Sequence, residues 1–137
     1  MIKIIIDSNI WISFLIGKSL QGISALLNEN KFKIVTCDEQ ISELIEVFAK
    51  PKLQKYFSLD QKVDFLILFE EKAEIIKCTT KLNLCRDLKD NYLLNFAVNS
   101  KADYLITGDS DLLILNTIQN TQIINYKNFE TQFLDKV

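Results

Sequence analysis

Along this chain, short β-branched runs take turns with longer stretches whose apolar residues recur every three or four positions. The first run, Lys3 to Ile6, ends on Asp7 and predicts a buried strand. Ser8 and Asn9 then offer capping side chains to a helix over Ile10–Ile16, which ends near Gly17. Another short helix is expected over Gln21–Asn28. Lys31–Thr36 alternates and is the second strand. Asp38 can cap a helix running from about Glu39 to Lys50, with Ile41, Leu44, Ile45 and Phe48 as its apolar stripe and Pro51 as its stop. Ser58 or Asp60 opens a further helix with Val63, Leu66 and Ile67, and Ala73–Lys77 is a weak, short strand. Asp87–Asp90 opens a helix carrying Leu93, Leu94, Ala97 and Val98. Asp103–Thr107 is a strand closed by Gly108, Asp109–Leu115 a short helix, Gln122–Tyr126 the last strand and Asn128–Leu134 a terminal helix.

Strands alternating with helices imply a parallel α/β sheet with right-handed crossovers. Ligands of such sheets sit outside the carboxyl ends of the strands. Asp7 ends the first strand, Asp109 follows the strand that closes at Thr107, and Asp87 and Asp90 sit at a helix start expected at the same edge. Asp111 lies two residues beyond Asp109. Carboxylates gathered there repel one another unless something compensates them, and a hard divalent cation, Mg²⁺ or Mn²⁺, is the ordinary compensation. Such an ion can activate water for attack on a phosphodiester.

Plainer roles compete at each position. Asp90 and Asp87 could be capping residues, and Asp109 and Asp111 turn residues. Asp7 is harder to explain away, because a carboxylate directly after a buried apolar strand is costly unless it meets a partner. Ser8, Asn9 and Thr107 could orient the carboxylates or simply bond the strand and helix ends. Glu43 lies almost opposite the stripe at 41, 44, 45 and 48, so its phase reads as solvated, and Glu39 and Glu46 share that side. Lys50 and Lys52, with Lys55 nearby, could touch RNA phosphates, or form an ordinary solvated cluster. Trp11 and Phe14 could stack a base, although an aromatic in an apolar helix is usually core.

Composition narrows the chemistry. The 137 residues suit one domain spanning 1–137, and 16 basic against 18 acidic side chains give a net charge of −2, not the balance of a protein held to nucleic acid by charge alone. The chain has no histidine, which excludes Ser-His-Asp catalysis, His-zinc sites and imidazole bases. Its three cysteines share no CxxC spacing and read as reduced thiols. The first apolar run is too short for a signal peptide and no apolar run approaches a membrane span, so a cytoplasmic protein with no membrane partner is expected.

Four segments together resemble the PIN domain family. They are Ile5-Ile-Asp7-Ser-Asn-Ile; Ser42-Glu43-Leu-Ile-Glu-Val-Phe-Ala-Lys-Pro-Lys-Leu53; Cys85-Arg-Asp-Leu-Lys-Asp90-Asn-Tyr-Leu-Leu-Asn-Phe-Ala97; and Ala102-Asp-Tyr-Leu-Ile-Thr-Gly-Asp109-Ser-Asp-Leu-Leu113. Their order and spacing are similar to the toxins of toxin–antitoxin systems, a branch akin to VapC-type ribonucleases. Matched by motif, Asp7, Glu43, Asp90 and Asp109 take the metal-binding and catalytic positions, and Asp87 and Asp111 the accessory acidic ones. The resemblance thus singles out Glu43 against its phase. Ser8 stands where many members have threonine, and Leu88 where proline is usual. The resemblance implies a three-layer α/β/α fold with a parallel sheet in the order 3-2-1-4-5. It further implies Mg²⁺- or Mn²⁺-dependent hydrolysis of RNA, a homodimer, and an antitoxin protein that blocks the site. A non-catalytic PIN module that binds RNA or a partner is the alternative.

Overall fold

The structure, a computed structural model, describes residues 1–16, 31–77 and 88–133, with the backbone alone for Leu15 and residues 88–90. The helix expected over Gln21–Asn28, and Asp87, Cys78 and Cys85, lie outside the described residues.

The described elements run β1 (Ile2–Ile6), α1 (Ser8–Ile16), β2 (Phe32–Thr36), α2 (Asp38–Phe48), a 3-10 turn (Pro51–Leu53), α3 (Leu59–Lys72), β3 (Ala73–Ile75), α4 (Leu88–Ser100), β4 (Tyr104–Ile106), α5 (Ser110–Leu113), β5 (Thr117–Ile118), β6 (Thr121–Ile124) and α6 (Tyr126–Phe133). They build one sheet in the order β3-β2-β1-β4-β6-β5. All neighbours are parallel except β5 and β6, which pair antiparallel. The expected order 3-2-1-4-5 therefore holds for the five parallel strands, the last of them being β6. The correction is an extra edge strand, β5, only two residues long and too short to leave a periodic signal. Gln119, in the turn between them, has φ of 50°, the left-handed conformation a two-residue hairpin turn requires.

Period-two alternation sorts the sheet into two cores. Ile4, Ile6, Phe32 and Ile34 face one side, where they meet Trp11, Phe14, Leu44, Phe48, Phe65, Phe69 and Phe129. Ile5, Val35 and Leu105 face the other, against Leu93, Leu94, Phe96, Ala97 and Leu112. Helices α1, α2, α3 and α6 thus cover one face, and α4 and α5 the other, giving the three layers. Trp11 packs edge-on against Phe65 and Phe69, with ring centroids 5.6 and 5.4 Å away, and Phe14 against Tyr126 at 4.6 Å. Both are core residues rather than stacking platforms.

Two helices present a different face from the one expected. In α2 the buried row is Gln40, Leu44 and Phe48, spaced by four, while Ile45 is 55% exposed. In α3 the inward residues are Phe65 and Phe69, and Val63, Leu66 and Ile67 are exposed. Large aromatic rings reach farther into the core than the aliphatic side chains beside them and set the rotation of both helices. Helix α3 starts with a full capping box: Ser58 Oγ accepts from Gln61 N at 3.1 Å and Gln61 Oε1 from Ser58 N at 2.9 Å. Among the described residues no helix is long and apolar enough to cross a membrane.

Candidate active site

Strands β1 and β4 are neighbours and end level, with Ile6 opposite Ile106. Each is followed immediately by a helix, and each junction carries a carboxylate. The Asp7 backbone carbonyl accepts from Ile10 N at 2.9 Å and Trp11 N at 3.2 Å, while its Oδ1 accepts from Asn9 N at 3.3 Å. Asp7, rather than Ser8 or Asn9, is therefore the residue that caps α1. Asp109 repeats the arrangement on α5: its Oδ1 accepts from Asp111 N at 2.9 Å. Capping and a site role are compatible here, since a cap uses one oxygen and fixes the direction of the other.

Thr107 joins the two acids. Its buried hydroxyl donates to Asp7 Oδ2 at 2.8 Å and accepts from Asp109 N at 3.1 Å. Asp7 is only 5% exposed, so this bond removes much of the cost of burying it. Asp109 is half-buried, and Asp111 is exposed in the first turn of α5. Gly108, which makes the turn between Thr107 and Asp109, is exposed. Asn9 is exposed too, and contributes its backbone N–H.

Glu43 approaches from α2. With Gln40, Leu44 and Phe48 as the buried row, Glu43 lies on the flank and is half-buried, a correction to the solvated phase read from the apolar stripe. Gln40 holds the helix in this rotation. Its Nε2 donates to the carbonyl of Ile6, the last residue of β1, and its Oε1 accepts from Thr36 Oγ1 at 2.6 Å. Gln40 is wholly buried and one turn before Glu43, so it ties the Glu43 helix to the residue preceding Asp7.

Tyr92, in α4, completes the link. Its hydroxyl donates to Glu43 Oε1 at 3.2 Å. Burial, and next the negative charge of Glu43, push the phenol well above its ordinary range, while the neighbouring Ser8 hydroxyl works the other way. Tyr92 thus stays a proton donor. Ser8 Oγ itself is buried and, among the described residues, meets Tyr92 only outside normal hydrogen-bond geometry. Asp90 lies in the first turn of α4, two residues before Tyr92, with its backbone alone described. Neither Gln40 nor Tyr92 stood out in the sequence. Gln40 does occupy the helical row of Leu44 and Phe48, a polar residue where an apolar one belongs, and that was the available signal.

Lys50 and Lys52 lie apart from these acids, exposed where α2 gives way to the 3-10 turn. An open cavity of about 410 Å³ runs along the Glu43 side of α2, lined by Asp38, Glu39, Ser42, Glu43 and Glu46. A larger one, about 860 Å³, lies at the opposite edge of the sheet near Met1, Lys31 and Asp103, away from the carboxylates.

The oxygen atoms gathered at the β1–β4 edge are hard donors. That chemistry fits a hard divalent cation. Among the described residues, which exclude the side chain of Asp90, no three acid side chains converge on a common point.

The PIN domain family model matches residues 3–111. The chain belongs to the PIN domain family. Outside the family model, this PIN domain is 38% identical over 117 residues to MJ1680 of Methanocaldococcus jannaschii, itself described as an uncharacterized protein. That match covers 83% of this chain and 75% of the archaeal one. No solved structure matches the chain significantly. PIN domains are typically metal-dependent nucleases, and membership of the family suggests nucleic acid as the class of substrate.

Proposed function

We propose that this PIN domain is a Mg²⁺- or Mn²⁺-dependent endoribonuclease, and that it acts as the toxin of a toxin–antitoxin pair. Asp7, Glu43, Asp90 and Asp109 would hold the metal, with Asp87 and Asp111 in support. The observation that carries the reading is the run Asp7–Thr107–Asp109, which links carboxylates at two adjacent parallel strand ends. A bound divalent ion supplies Lewis acidity, activating water and offsetting charge on the phosphate oxygens.

The chain's own contribution is positional. Thr107 fixes the direction of Asp7 Oδ2 and, through the Asp109 backbone, the start of α5. Tyr92 keeps its proton and orients Glu43. Gln40 keeps the Glu43 helix in register with the end of β1. With no histidine in the chain, carboxylates are the proton acceptors at hand. The partners of this reading are RNA, an antitoxin protein that covers the acids and a second copy of the chain, and its compartment is the cytoplasm.

RNA cleavage by the purified protein with Mn²⁺, with EDTA and with the variants Asp7→Asn and Asp90→Asn tests the reading. Cleavage should require the ion and fall by about two orders of magnitude or more in either variant. Equal cleavage in EDTA, or by Asp7→Asn, would sink it. The alternative is a non-catalytic PIN module that binds RNA or a protein partner. It gains if Mn²⁺ elicits no cleavage while RNA or a protein partner still binds.

A further inference from the structure

The segment from Ala49 to Ser58 carries Lys50, Lys52 and Lys55 and no acid, in a chain whose net charge is −2. All three lysines are exposed, and among the described residues none of them forms an ion pair with a carboxylate. Their charge is therefore available to a counter-ion. The segment is also built rather than loose. Pro51 fixes φ at the start of the 3-10 turn, and Leu53 N, Gln54 N and Tyr56 N donate to the carbonyls of Lys50, Pro51 and Leu53 at 3.0, 3.1 and 3.0 Å. Gln54 Nε2 donates to the Phe48 carbonyl at 2.7 Å and the Lys50 carbonyl at 3.3 Å, and Gln54 Oε1 accepts from Lys62 Nζ. Phe57 anchors the far end, buried against Phe48 with ring centroids 5.5 Å apart.

Lys52 sits in the 3-10 turn and Lys55 three residues on, in the turn that continues it. Next to them Tyr56 is 45% exposed, with Lys55 Nζ 5.1 Å from its ring centroid. Exposed cations beside a half-exposed aromatic ring are the two components by which proteins grip single-stranded nucleic acid: charge for the backbone and a ring for a base. Lys50 lies two residues beyond the end of α2 at Phe48, which is itself five residues, or about 7.5 Å of helix, past Glu43. A few nucleotides of extended strand span that distance. The intervening Glu46 repels phosphate, so contact is expected at the two ends of the path and not along it.

We infer that Lys50, Lys52, Lys55 and Tyr56 form a subsite for single-stranded RNA, a few nucleotides from the scissile bond, in which the lysines contact phosphates and Tyr56 stacks a base. The inference rests on the nuclease reading for the position of the scissile bond. It gives the acidic site a means of holding a polyanion that its own carboxylates repel.

The test compares the parent protein with the triple variant Lys50→Gln/Lys52→Gln/Lys55→Gln, with Tyr56→Ala and with Tyr56→Phe. Substrates are unstructured RNAs of about 2 and about 12 nucleotides in Mn²⁺, chosen to fall short of the patch and to reach it. The triple variant should raise KM for the longer RNA at least about tenfold with kcat little changed, and should lower the salt slope of binding by about 2, for three phosphates released from a single strand. Tyr56→Ala should weaken the longer RNA about tenfold, and Tyr56→Phe should restore it. The loss on the short RNA should be under about threefold in every variant. Equal losses on both RNAs, or an unaltered KM for the longer one, overturn the subsite. Should the parent cut neither RNA, the nuclease reading falls by itself. Binding of the longer RNA then decides the patch: a lost salt dependence in the triple variant sustains it, and unaltered binding overturns it.

Discussion

Asp7 and Glu43 approach the same site from opposite kinds of structure. Asp7 is fixed locally: it follows β1, caps α1, and accepts a hydrogen bond from Thr107 just past the neighbouring strand, which ends level with its own. Glu43 is fixed at a distance, midway along an exposed helix, by a hydroxyl from α4 and by Gln40 one turn earlier. The first acid is as rigid as the sheet. The second is only as well placed as the helix that carries it. This contrast implies that the site can lose Glu43 by a helix movement that leaves the strand-end acids intact.

Gln40→Leu should break the contrast most severely. It leaves the Thr36 hydroxyl and the Ile6 carbonyl buried without their partner, at a cost of about 2–4 kcal/mol. Thermal melts should register that loss, and hydrogen exchange should quicken over α2 while β1 and β4 stay protected. Equal loosening of α2 and β1 would mean that the two acids share one rigid body.

Thr107→Val attacks the opposite side. The substitution keeps the shape but removes the Thr107 hydrogen bond to Asp7 Oδ2, costing about 1–3 kcal/mol. Because Thr107 also accepts from the Asp109 backbone, cleavage should fall about tenfold or more, a loss that Thr107→Ser should largely recover. If valine cleaves as well as threonine, the link between the two strand ends has no functional weight.

Tyr92→Phe should act least on stability, by about 1 kcal/mol, while removing one of the contacts that hold Glu43. Its effect has a pH signature. The Tyr92 phenol is raised in the folded protein, so the folded state holds its proton longer than the unfolded chain does. That contribution is fully present below the unfolded pKa of about 10 and is lost as pH rises beyond it. Urea melts should therefore show a shallower alkaline decline in Tyr92→Phe than in the parent. A decline of the same slope would place Tyr92 in a more open setting than its contact with Glu43 implies. Tyr126, raised to about 12 by burial and by Glu130, should supply the residual slope in both proteins.

Much of the fold was legible in the chain because its signals are local. Alternating β-branched runs mark all five parallel strands, and the switch to a spacing of three or four marks the helices between them. The parallel order then brings strand ends together by rule, which is why Asp7, Thr107 and Asp109 could be grouped before any contact was known. The two-residue β5 escaped because so few residues carry no period.

Helix rotation was not legible in the same way. In α2 the expected stripe lost Ile45 to solvent, in α3 Phe65 and Phe69 turned inward in place of Val63, Leu66 and Ile67, and only packing against Trp11, Phe57 and the sheet decided these faces. The choice turned Ile45 outward and brought Glu43 to the flank. By itself the sequence determined the sheet, its carboxyl edge and the acids that end its strands, since strand ends depend on neighbours in the chain. Tertiary structure alone decided which side of each helix faces the sheet, and with it the Gln40 and Tyr92 contacts that hold Glu43, because those bonds join residues 34 and 49 positions apart.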